Sequence, residues 1–320
     1  MADRYYYQHD YAPGLKKFED AMPPIPLSFS NKLVLGLLRK EREQPAPVED
    51  VRVEDRTMPG PAGPIPLRLY WPAMPAAARP AYLMFHGGGW SFGHLGTEHA
   101  RCIELTRRCG AVGISVGYRL APDHPAPAGL DDCYAALRWA AAHAGELGID
   151  ARQIGITGSS AGGALTLSVA QMAADRGEVA PMVQIAFYCN TDDRDLPAYE
   201  SRRATPAYPV ISPANIAQVV SNLMGQRRTP PAYVFPNRSG DVSRVCPAVF
   251  FLAQNDPLRD EGIDYAWRLL RAGVPTELHV LPGVTHAFDD IAPDSAATRT
   301  AYELMCRAFE RASADRARAA

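Results

Sequence analysis

The stretch ITGSSAGGAL, Ile156 to Leu165, sets two serines and three glycines between apolar flanks. Gly and Ser are turn residues, so an ordinary connection would account for some of them. The spacing says more. Gly158-Ser159-Ser160-Ala161-Gly162 has the G-x-S-x-G pattern of an elbow, in which the central serine is held at a strained strand-to-helix turn with its hydroxyl outward. The run Ile154–Thr157 before it reads as a strand, and Ala161–Arg176 after it as a helix. A strand that hands over to a helix in this way predicts an α/β protein.

The alternation continues on both sides of the elbow. Strands are expected at Val51–Thr57, Ile65–Trp71, Ala81–Phe85, Val112–Val116, Met182–Tyr188, Ala248–Ala253 and Thr276–Leu281. Helices are expected at Thr97–Cys109, Leu130–Ala144, Glu261–Ala272 and Ala296–Ser313. In Leu130–Ala144, Leu130, Cys133, Tyr134, Leu137 and Ala141 recur at three- and four-residue steps, as one buried helix face requires. Such alternation implies a mostly parallel sheet with helices on both faces. Two regions break it. Residues 1–50 carry Tyr5-Tyr6-Tyr7, a proline-rich stretch at Pro23–Pro26 and a helix expected over Ser30–Glu43, and they read as a helical attachment and not an independent domain. Residues 51–320 are expected to form the α/β domain, within which 190–244, rich in Pro, Arg and Asn, is expected to be an excursion from the sheet, a mobile helical insertion.

The 320 residues are 47% apolar and 21% charged, ordinary for a globular protein, and α/β chains of this length are often one domain. Lys and Arg number 33 against 35 Asp and Glu, a formal net charge of -2. That gives no electrostatic footprint for nucleic acid or an anionic membrane. The opening MADRYYYQHDYAPG lacks the apolar core of a signal peptide, and the apolar run Leu33–Leu38 is far short of the ~20 residues that cross a bilayer. Six cysteines, with no C-x-x-C pair, suit reduced thiols better than a disulfide framework or zinc site. Cytoplasmic residence is the expectation.

A nucleophilic serine needs a base, an acid that orients the base, and donors for a developing oxyanion. After the strand Ala81–Phe85 comes His86-Gly87-Gly88-Gly89-Trp90, the H-G-G-G pattern of an oxyanion loop; a glycine-rich turn without a role is the bland alternative. Asp256 is the first carboxylate beyond the strand Ala248–Ala253, and Asp260 is the better candidate to cap the following helix. His286 lies in the loop after the strand Thr276–Leu281, whereas His279 falls inside that strand and reads as structural. Ser160, Asp256 and His286 thus follow one another in the Ser, acid, His order of this kind of sheet.

On HGGGW at His86–Trp90, YRLAPDHPAPAGLDD at Tyr118–Asp132, GSSAGG at Gly158–Gly163, DPLRDEG at Asp256–Gly262 and HAF at His286–Phe288, the chain resembles the hormone-sensitive-lipase-like esterases, the bacterial family IV of lipolytic enzymes. The match runs from about Val51 to Phe288, apart from the 190–244 region. The resemblance implies an α/β-hydrolase fold with an eight-stranded sheet in a catalytic domain over 51–320, a helical cap built from the 1–50 segment and the 190–244 insertion, and ester hydrolysis with no cofactor or metal. It assigns Ser160 as nucleophile, His286 as base then acid, and Asp256 as the group that fixes the histidine's tautomer. It assigns the oxyanion donors to the backbone amides of Gly88, Gly89 and Ala161, with Gly87 shaping the loop and His86 bracing it. The expected partner is a small ester of short or medium chain; a homodimer is left open.

Two departures stand out. The family pattern has Asp where this chain has Ser159, and Asp where it has Gly117. If these positions are neighbours, losing both carboxylates avoids one lone buried charge. Arg202 and Arg203 could meet an anionic substrate, though exposed arginines are usually only solvated. Tyr5, Tyr6, Tyr7, Phe18, Phe29, Tyr199 and Tyr208 are candidates for a pocket lining or for cap packing. Other readings are a dehydratase, cyclase or amidase on the same scaffold, or a non-catalytic small-molecule binder, against which three intact catalytic residues argue.

Overall fold

The structure, a computed structural model, describes residues 35–36, 38–40, 48–74, 76, 78–204 and 211–318. Most of the expected N-terminal cap segment, with Tyr5–Tyr7, Phe18, Phe29 and most of the helix expected over Ser30–Glu43, lies outside these residues, as does Tyr208. Eight strands form one sheet: β1 (Val51–Gly60), β2 (Gly63–Pro72), β3 (Arg79–Phe85), β4 (Val112–Val116), β5 (Ile149–Ser159), β6 (Gln184–Phe187), β7 (Ala248–Asn255) and β8 (Thr276–Thr285). Their order is β1-β2-β4-β3-β5-β6-β7-β8. β2 is antiparallel to β1 and β4, and every pair from β4 to β8 is parallel.

Among the described residues from His99 onward the helices, in chain order, are α1 (His99–Cys109), α2 (Ala128–Ala142), α3 (Ala144–Leu147), α4 (Ala161–Arg176), α5 (Ser201–Ala204), α6 (Pro213–Met224), α7 (Arg259–Arg271), α8 (Phe288–Ile291) and α9 (Ala296–Arg318). β3 shows why the sheet is covered twice. Ala81, Leu83 and Phe85 join one core with Leu130 and Leu137 of α2 and Leu165 of α4. Tyr82 and Met84 join the opposite core with Leu105 of α1 and Met305 and Phe309 of α9. Successive side chains point to opposite faces, so a strand apolar at every position must be buried on both. A third cluster packs Phe250 and Leu252 of β7 against Tyr265 and Leu269 of α7.

The register sets up the site. Phe85, the last residue of β3, pairs with Gly158 near the end of β5, so the glycine loop after β3 and the elbow after β5 emerge side by side. Further along the same edge, Asn255 pairs with Thr285, which brings the segments carrying Asp256 and His286 out together. The 190–244 region contains two helices and a short 3-10 turn. Its α6 starts at a capping box in which Ser212 and Asn215 bond each other's backbone amides, with Pro213 in the first turn. Asn222 of α6 donates to the Ser91 hydroxyl, and Ala126 N–H donates to the Leu223 carbonyl, which seats this helix against the glycine loop.

Candidate active site

Ser160 follows β5 directly and caps α4 in a backbone conformation that L-residues seldom adopt, φ 53° and ψ -117°. The turn closes only because its flanks lack side chains: a Cβ at Gly162 would lie 1.9 Å from the Phe85 carbonyl oxygen. The result is a nearly buried serine, 8% exposed, at the first turn of α4. Its Oγ lies 3.0 Å from His286 Nε2, and His286 Nδ1 lies 2.8 Å from Asp256 Oδ2. The second oxygen, Oδ1, accepts from Leu258 N–H at 2.8 Å. These contacts assign a proton to Nδ1 and leave Nε2 to accept the serine proton. The Tyr188 ring packs edge-on against the imidazole, 4.8 Å between centres.

Gly88 and Gly89 both take positive φ, 117° and 55°, and both line the cavity beside Ser160 and His286. The amides of Gly88, Gly89 and Ala161 donate to no protein acceptor among the described residues. The Gly87 amide is different, since it donates to Glu98 Oε1 at 3.1 Å. His86 lies beneath the loop. Its Nδ1 bonds the Gly87 carbonyl at 2.7 Å, its ring stacks on Tyr118 at 4.3 Å, and Tyr118 donates to the His86 carbonyl. Burial lowers the imidazole to about 4, only partly offset by the Gly87 carbonyl, so it is neutral near pH 7.

The cavity is about 290 Å³, with Leu38, Phe92, Ile211 and Val219 on its apolar walls. Beneath the loop is a buried ionic group that sequence reasoning did not find. Arg101 forms close ion pairs with Glu98 and Asp289, and its guanidinium stands over the Phe187 ring. Tyr188 donates to Asp289 at 2.7 Å, and Tyr302 donates to it at 3.1 Å. Glu98 reaches both halves of the site, accepting from Gly87 N–H and from the Ser159 hydroxyl. Burial works against an ionised Asp289, but Arg101 outweighs it and holds the carboxyl below the usual range. Asp290, beside it, is pushed well above that range by desolvation and then by Asp289 and Glu98; Arg101 offsets only part.

Several expectations need correction. Ser159 and Gly117 are not neighbours: β3 runs between their strands, and a side chain at 117 would meet Pro66 and Leu95. Ser159 meets Glu98 instead. Arg202 is buried, not solvated, and pairs with Glu261 and the carbonyls of Asp192 and Arg194. Arg203 is exposed and pairs with Asp195. Tyr199 bonds Asp192 and Asp264 away from the cavity. Asp260 sits inside the first turn of α7, whose cap is Leu258, and accepts from Ser201 N–H. His279 does lie inside a strand, β8, as expected, and stacks on Phe251 of β7.

Comparison with known proteins fits this geometry. A sequence profile described as the alpha/beta hydrolase fold matches residues 82–290. The chain is 36% identical over 280 residues to the esterase LipI of Mycobacterium tuberculosis, which covers 86% of this chain and 87% of that one. It is 38% identical over 232 residues to the ethyl acetate hydrolase of Pseudomonas putida, with 70% and 71% covered. The crystal structure of the esterase LipW from Mycobacterium marinum matches with a TM-score of 0.76 and 35% identity over 82% of each chain.

Proposed function

We propose that this chain, which belongs to the α/β-hydrolase family in its hormone-sensitive-lipase-like branch and hydrolyses carboxylic esters, does so with Ser160 as nucleophile, His286 as base and Asp256 as orienting acid. The carrying observation is the relay Asp256–His286–Ser160, with contacts of 2.8 and 3.0 Å, opening on one cavity. Ser160 Oγ attacks the ester carbonyl as His286 Nε2 takes its proton, and the amides of Gly88, Gly89 and Ala161 receive the oxyanion. The imidazolium then gives that proton to the departing alcohol. Water, deprotonated by the same nitrogen, attacks the acyl-enzyme and releases the acid. Each oxyanion donor in such a site is worth ~10²–10³ in kcat.

The cavity volume and the relative named for ethyl acetate favour short- to medium-chain esters over long-chain triglycerides. The 1–50 segment and the 190–244 region together would cap the site and set that preference. Among the described residues no helix is long and apolar enough to cross a membrane. Cytoplasmic residence belongs to this proposal, supported by six cysteines all free. So does a homodimer, supported by the outer edge of β8, which pairs with no further strand among the described residues. The near-balanced charge of -2 supports the absence of a nucleic-acid partner.

The test is hydrolysis of p-nitrophenyl esters from acetate to palmitate by the wild type and Ser160→Ala. Turnover should be greatest on short chains and fall by about 10⁴-fold or more in the variant. A folded wild type that turns over no ester in the series would overturn the reading.

A further inference from the structure

Asp290 is a carboxylate that neither the relay nor the oxyanion loop uses. It stands on α8, just past His286, and lines the cavity that holds Ser160 and His286. Its amide bonds back to the Ala287 carbonyl, but its carboxylate has no hydrogen bond or ion pair among the described residues. Arg101, the nearby cation, is already engaged by Glu98 and Asp289. No Lys or Arg lines the cavity among the described residues; its acidic side chains are Glu98 and Asp290, and the remainder of the wall is apolar or neutral.

A substrate entering this cavity can meet Asp290 in three ways. An anionic ester would add a further negative group beside Asp289 and Glu98. A neutral one offers the carboxyl group no counter-charge. A cationic one supplies the counter-charge that the protein withholds and favours the ionised carboxylate. Asparagine would fill the same space without crowding Asp289 and Glu98, so the carboxyl group is the feature that calls for a use. Resting on the serine-esterase reading above, we propose that the cavity selects esters bearing a cationic amine, with Asp290 receiving the ammonium group on the alcohol or the acyl side.

The experiment compares charged esters with neutral ones of equal shape. Acetylcholine is paired with 3,3-dimethylbutyl acetate, and ethyl 4-(trimethylammonio)butanoate with ethyl 5,5-dimethylhexanoate. In at least one pair, kcat/KM should favour the cation by about tenfold or more, through KM. Asp290→Asn should bring that ratio close to one. A wild-type ratio near one in both pairs, with the neutral esters turned over, overturns this inference and leaves the esterase reading standing. The same holds if a preference survives Asp290→Asn. If the folded wild type turns over no ester at all, both readings fall together.

Discussion

Arg101, beneath the glycine loop, and Arg202, beside the segment that carries Asp256, are both buried guanidiniums, but they meet different numbers of carboxylates. Arg101 pairs with two, Glu98 and Asp289, and a third, Asp290, adjoins the group unpaired. Arg202 pairs with one, Glu261, and fills its other valences with the carbonyls of Asp192 and Arg194. The same Glu261 accepts from the amides of Thr191 and Asp192, so this side is a clamp of one acid and one cation that fastens residues 190–204 to α7. The Arg101 side is unbalanced. It gathers more carboxyl groups than cations under the oxyanion loop and into the cavity, so one group mainly holds the fold together and the other also shapes the field that a substrate meets.

Removing each cation tests the contrast most strongly. Arg101→Met leaves Glu98 and Asp289 buried without a counter-ion and should cost ~3–5 kcal/mol, or prevent folding. Arg202→Met should cost less, ~1–3 kcal/mol. Glu261 is already pushed up to about 8 by burial, despite Arg202, and can hold a proton once that partner is gone. Urea unfolding of the two variants reads the difference. An Arg202→Met loss equal to or greater than that of Arg101→Met would erase the distinction.

Adding a carboxylate probes the same surplus on a smaller scale. Ser159→Asp would set a further acid against Glu98, in place of the hydroxyl that now donates to it, at a cost of ~2 kcal/mol. Gly117→Asp would press on Pro66 and Leu95 across β3 and relieve none of this. The two costs should add within about 0.5 kcal/mol. A double variant more stable than Ser159→Asp alone would show that the two positions communicate after all.

The contrast also marks what the sequence made legible. All eight strands were foreseen, because runs such as Ala81–Phe85 are apolar at every position and only a doubly covered strand tolerates that. The ends were not: β5 begins at Ile149 and β8 runs to Thr285, past a Pro282-Gly283 pair that reads as a stop. There, Gly283 N–H is held by the Gln254 side chain, a contact between strands that no local pattern announces. Ser160, Asp256 and His286 could be picked out because each follows a strand at the same edge of the sheet. Glu98 and Arg101 could not. A charged pair at the start of a helix ordinarily reads as a solvated first turn, and only the arrival of Asp289 from far along the chain buries it. Tertiary pairing of charges leaves no periodic signal to find.

The smallest effect is expected where a carboxylate is removed from the crowded side. Asp290 holds its proton more tightly in the folded protein than in the unfolded chain, where an aspartate titrates near ~4. Over the interval from that value up to its raised native one, the folded state therefore binds more protons, and stability falls as pH rises. Asp290→Asn abolishes this slope. The variant should melt at the same temperature as the wild type below about pH 4, and at a higher one above it, with a margin that widens with pH and then levels off. The carboxylate faces the water of the cavity, which screens it, so the gain should stay under about 1 kcal/mol. Thermal melts across the pH range give the sign directly. A variant less stable than the wild type at neutral pH would mean that Asp290 has a stabilising partner, and the Arg101 group would then be no more charged than its counterpart around Arg202.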